Sequence, residues 1–150
     1  MSNAPQPAKS GIAHLPLPLF AAPMGIGGLG LAWREAGHAL GAPALIGEAV
    51  LLLAGLVWLG VTGLHIVRAT CHPEMLAGDL KHPIRSAFAG AVTIGLMIVA
   101  GGLVPHAPSA AADIWLVAVV AHLFIGIWTV RGLLTAPREA TTLMPPLLIP

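Results

Sequence analysis

Four stretches of this chain, 15–33, 46–67, 86–104 and 114–130, run for about 17–22 residues almost free of formal charge. Glu48 is the one carboxylate inside them, and His65 and His122 are the other titratable groups. A helix rising 1.5 Å per residue crosses a hydrocarbon core of about 30 Å in about 20 residues. Membrane strands would be shorter and would alternate in polarity, which these stretches do not. Composition agrees: 57% of the 150 residues are hydrophobic and 9% are charged, against about 25% charged in soluble domains. Mean hydropathy is +0.88. The sequence therefore predicts an all-α integral membrane protein with four complete transmembrane helices.

Short polar turns around 35–43 and 106–113 join these spans in pairs, giving two helical hairpins. The longer segment CHPEMLAGDLKHPIR separates the pairs and reads as a loop. Residues 1–14, MSNAPQPAKSGIAH, form a polar lead unlike a cleaved signal peptide. The transmembrane domain covers 15–134, and 135–150 reads as a further loop followed by the start of a fifth span.

Lys9, Arg68, Lys81, Arg85, Arg131 and Arg138 fall on one side of this layout and Arg34 alone on the other. The positive-inside rule then puts the N-terminus in the cytoplasm and the protein in the inner (plasma) membrane. Trp33, Trp115 and Trp128 lie near span ends, where amphipathic rings suit the headgroup zone. Trp58 is mid-span and is expected to pack between helices. A net charge of +1 gives no pull toward nucleic acid, and lone Cys71 excludes an intrachain disulfide.

Span one contains PMGIGGLGLAW, in which Gly25, Gly27 and Gly30 match the spacing G-x-G-x-x-G. That fingerprint needs a buried strand before it. Pro16, Pro18 and Pro23 deny one, because proline cannot donate to a ladder. The nucleotide reading fails. Gly25, Gly27, Gly28 and Gly30 instead bare the backbone over two turns, and Pro23 removes a helical hydrogen bond that lipid cannot replace. Such a helix either borders a permeation route or packs tightly against neighbours, and the residues leave both open. In span three, Ala87, Ala91 and Gly95 recur every four residues, beside Gly90 and Thr93. In span four, Ala118, His122 and Gly126 share a stripe, which turns His122 toward protein.

An ionisable residue in a membrane is a functional candidate, so Glu48 and His122 are possible proton-linked groups. Glu48 lies only about 3–5 Å inside the outer end of its span, a depth that also fits an interfacial cap. His65 and His122 raise a bis-histidine haem, but their depths differ by roughly 9 Å, so they are not level. Cys71, His72 and His82 lack the paired spacing of a zinc site, so no metal or other cofactor is expected. No nucleophile–base grouping appears, so no catalytic residue is expected either.

The run LFAAPMGIGGLGLAWREA and the later HPIRSAFAGAVTIGLMIVAGG resemble the tellurite-resistance/dicarboxylate transporter family, with its malate permeases and slow-type anion channels. The ending LG-W-R and the entrance His82, Pro83, Ser86 and Phe88 carry most of the likeness, which extends over about 15–150. The resemblance implies a ten-helix fold of five hairpins around a pore, assembled as trimers and lined by odd-numbered helices. On that basis Pro23, Gly25, Gly27, Gly28, Gly30, Phe88, Gly90, Thr93 and Gly95 match the pore-lining class. It also implies that the family's occluding phenylalanine lies on a ninth helix, so Phe20, Phe88 and Phe124 are not the gate. Two hairpins cannot enclose a five-hairpin pore, so the chain reads as a fragment of a longer protein, or else as one of several assembling copies.

The expected function is passage of a small anion or malate-like dicarboxylate, or a part in tellurite resistance, without covalent chemistry. Lipid, a small anion and further copies of the chain are the expected partners. A four-span scaffold or accessory subunit is the alternative, and a haem-binding membrane protein the third.

Overall fold

The computed structural model describes residues 11–135. Most of the polar lead and residues 136–150, the segment expected to form a loop and begin a fifth span, lie outside them. The described residues contain helices and no strand. After two short 3-10 turns, Ile12–His14 and Leu17–Phe20, come α1 (Ala21–Leu40), α2 (Ala44–Cys71), α3 (Pro73–Lys81), α4 (Pro83–Ala87), α5 (Ala89–Leu103) and α6 (Pro108–Thr135). Three segments, Ala44–Cys71, Arg85–Leu103 and Pro108–Gly132, are long and apolar enough to cross a membrane.

The first helix starts later and ends later than the expected 15–33. Pro16 and Pro18 hold the chain in a 3-10 turn, so the α-helix begins only at Ala21. Pro23 then sits in the first turn, where backbone N–H groups have no intrahelical acceptor and proline is tolerated. It therefore marks a helix start, and no kink is needed to accommodate it. Beyond Trp33 the helix continues through Arg34 and Glu35 to Leu40. Gly41 stops it in the left-handed conformation (φ 73°), and Ala42 N–H closes back on Ala36 O at 3.4 Å. Pro43 follows directly, and Trp33 Nε1 donates to its carbonyl at 3.1 Å.

The expected loop CHPEMLAGDLKHPIR is largely helical. Pro73 at the first helical position, Glu74 in the first turn and Lys81 in the last give α3 favourable ends. Before span three the chain makes the short α4, turns at Phe88, and then forms α5.

α5 is the central element, with α1, α2 and α6 around it. Contacts between α1 and α2 run in opposite directions along the two helices: Arg34 meets Glu48, Gly30 meets Leu51, and Gly27 meets Ala54. A small cluster of Phe20, Val61 and Ala91, joined by Met24, Val57, Trp58 and Val92, fills the space where α1, α2 and α5 meet. As its mid-span position suggests, Trp58 packs between helices, donating from Nε1 to Val92 O at 3.0 Å and lying over Gly95. Leu52, Leu53, Leu56 and Leu59 of α2, and Leu116, Val120, Leu123 and Phe124 of α6, are exposed. Their outward faces suit lipid or further helices.

Candidate functional site

The glycines of α1 divide into two faces. Gly27 and Gly30 are buried. A Cβ on Gly27 would collide with Cγ2 of Ile98 and stand 3.4 Å from Cβ of Ala54. One on Gly30 would lie 2.7 Å from Cγ and 3.1 Å from the backbone N of Leu51. Across the same contact, a Cβ on Gly47 would stand 3.3 Å from Arg34 N and 3.4 Å from Gly30 O. These glycines let two backbones approach within van der Waals contact. Gly25 and Gly28 are exposed, and a Cβ on either would meet nothing within 4 Å. Ala21 and Ala32 lie on the same exposed side. Pro23, by contrast, is fully buried.

The span-three candidates are brought together, but inside the bundle. Gly90, Thr93 and Gly95 are buried, and Phe88 is half-buried at the turn between α4 and α5. Gly95 makes room for the Trp58 indole, whose Cδ1 would be 2.6 Å from an added Cβ. Gly90 makes room for the His122 ring, with Cε1 at 3.4 Å from such a Cβ. Thr93 Oγ1 donates to Gly90 O at 2.8 Å and lies 2.8 Å from His122 Nδ1. A hydroxyl has one proton, so with it given to Gly90 the imidazole Nδ1 is the donor to Thr93. His122 thus faces protein, as its stripe with Ala118 suggests.

Glu48 is a junction of three segments. Its Oε1 accepts from Arg34 Nε at 2.9 Å, and its Oε2 lies 2.8 Å from His106 Nε2. Arg34 also donates from Nη1 to Gly101 O at 3.1 Å and from Nη2 to Gly102 O at 3.0 Å. Carbonyls near a helix C-terminus lack intrahelical donors and carry partial negative charge, which a guanidinium satisfies. Sequence reading assigns Arg34 only as the single outer cation. The cue to its role is Arg34 and Glu48 on either side of a tight turn.

At the opposite end lies a second network, to which neither composition nor spacing points. Arg68 is 1% exposed. Its Nε donates to Ala13 O at 3.1 Å and its Nη2 to Asp79 Oδ2. Arg85 Nη1 donates to Asp79 Oδ1 at 2.7 Å. Burial pushes the Asp79 carboxyl up, but the hydrogen bonds and charges of Arg68 and Arg85 outweigh it and hold the group below its ordinary value. Basic side chains at span ends commonly anchor at lipid headgroups, which suits the 59%-exposed Arg85 side chain but not the buried Arg68. Nearby, His65 stacks obliquely on Phe20, their centroids 4.9 Å apart, and lies 2.9 Å from Val61 O through Nδ1.

Long apolar helices, a glycine-lined contact between α1 and α2, and ion-pair networks near the helix ends define a multi-pass helical membrane protein. The chain belongs to the voltage-dependent anion channel family, whose model matches residues 14–150. This is the family that the motifs of spans one and three resemble. No curated protein matches the chain.

Proposed function

We propose that this chain contributes two helical hairpins, with α1 as the fourth crossing, to a path for small anions or dicarboxylates. The observation that carries the reading is the uncovered pair Gly25 and Gly28 on α1. A helix facing only lipid has no use for bare backbone, which forfeits apolar contact and costs helix stability. A helix bordering an aqueous path does, since absent side chains widen it and exposed peptide groups meet water. Gly27 and Gly30 support this wall from behind by seating it on α2 and α5, while Gly90 and Thr93 of α5 receive His122 of α6 and Gly95 receives Trp58 of α2.

At 20 residues α1 is about 30 Å long, sufficient for one crossing. Arg34, Glu35 and the many glycines leave it less hydropathic than the other three, and Glu48 and two carbonyls neutralise the arginine. The layout has its N-terminus in the cytoplasm of an inner membrane and copies grouped as trimers, following the charge asymmetry and the family. His122, mid-helix and paired with Thr93, is the candidate proton-linked group of this reading. Glu48 is a lock between helix ends.

Flux of chloride, nitrate and malate into liposomes bearing the purified full-length protein tests this. Gly25→Leu and Gly28→Leu are expected to lower flux several-fold with the folded fraction unchanged. Flux at background for the unaltered protein would return the chain to a scaffold role.

A further inference from the structure

At the Arg68 end of the bundle, a cavity is lined by two arginines and a single carboxylate. It measures about 340 Å³ and is walled by His14, Arg68, Asp79 and Arg85, with Pro16 and Pro18 along its rim. Asp79 spends both carboxylate oxygens, one on each arginine, which leaves the cluster with one net positive charge before His14 is considered. Arg68 Nη1 is sealed from water and has no protein acceptor. A buried cation without full compensation is costly, and a donor left without a partner adds to that cost. A structural clamp alone would be better served by one arginine and one carboxylate.

We infer that this cavity is a binding site for a phosphate-type oxyanion, supplied either by an anionic phospholipid headgroup or by free phosphate. Guanidinium groups present a rigid fork of donors that matches oxyanions, and two of them converge here. The cluster lies where α2 ends and α4 begins, the level at which basic pockets between transmembrane helices take up headgroup phosphates. Arg85, largely exposed, offers its remaining N–H groups to such a ligand while Arg68 supplies fixed charge from behind. The inference is independent of whether the chain conducts.

Two measurements on the purified full-length protein in detergent test it. Native mass spectrometry reads retained phospholipid, and thermal unfolding is followed against inorganic phosphate, with chloride at equal ionic strength as control. Retained anionic phospholipid in the unaltered protein, lost in Arg85→Gln, assigns the headgroup as the source. A phosphate-specific rise in unfolding temperature with no retained lipid assigns free phosphate, and Arg85→Gln should then weaken apparent affinity about tenfold. Asp79→Asn frees both arginines, so phosphate should raise its unfolding temperature more than that of the unaltered protein. The inference is overturned if phosphate acts no differently from chloride and no phospholipid is retained, or if Arg85→Gln leaves both readouts unchanged.

Discussion

The two faces of α1 carry the same residue type for opposite reasons. On one, Gly27 and Gly30 have neighbours so close that a methyl group would meet Ile98 or Leu51. On the other, Gly25 and Gly28 have open space. A glycine-rich membrane helix can thus combine a seam and a wall within one turn and a half. Counting glycines does not separate the two uses; their angular position does.

Substitutions turn that contrast into numbers, and the largest belongs to Gly30. Gly30→Val should cost at least about 3 kcal/mol, because the added group meets the Leu51 backbone nitrogen as well as its side chain. Equilibrium unfolding in mixed micelles would measure this; a loss below about 1 kcal/mol would mean that the α1–α2 seam is loose. Gly27→Ala comes next, at about 1–3 kcal/mol, since the added methyl meets Cγ2 of Ile98, a branch on Cβ that moves only if its stiff χ1 or the α1–α5 spacing changes. Gly90→Ala should cost under about 1 kcal/mol, because the His122 ring needs to yield by only a few tenths of an ångström. Its sharper readout is the His122 imidazole resonance by NMR, expected to move as the bond to Thr93 lengthens. The smallest stability effects belong to Gly25→Ala and Gly28→Ala, neutral or stabilising by up to about 1 kcal/mol, since alanine favours the helix and meets nothing. A marked loss at either position would show that this face is covered in the assembled protein by a tightly fitted helix.

Much of the architecture was legible because lipid enforces a simple code. The apolar runs of α2 and α6 announce themselves, and the packing of Trp58 and the inward turn of His122 follow from depth and periodicity. What the sequence hid came from interactions that reach across it. Arg34 looks like a span terminator, yet α1 continues past it because Glu48 and the carbonyls of Gly101 and Gly102 absorb its charge. CHPEMLAGDLKHPIR looks like a loop by composition, but Pro73 and the charges at its ends allow a helical turn sequence that becomes α3. Arg68 looks like a snorkelling anchor, and only the position of Asp79, eleven residues on, shows that it points inward. The division of the α1 glycines was also out of reach, since it depends on where Leu51 and Ile98 fall along the facing helices.

The bond between Arg34 and the last turn of α5 has a mechanical consequence. One side chain there ties α5 to α1 and, through Glu48, to α2, so that end behaves as a pivot with little freedom to slide. The other tip is held by single hydrogen bonds, from Trp58 to the Val92 carbonyl and between Thr93 and His122, and the break at Phe88 separates it from α4. Motion of this central helix should therefore be widest near Phe88 and vanish near Gly102, a gradient that spin labels placed along α5 would register as a steady change in distance to α2.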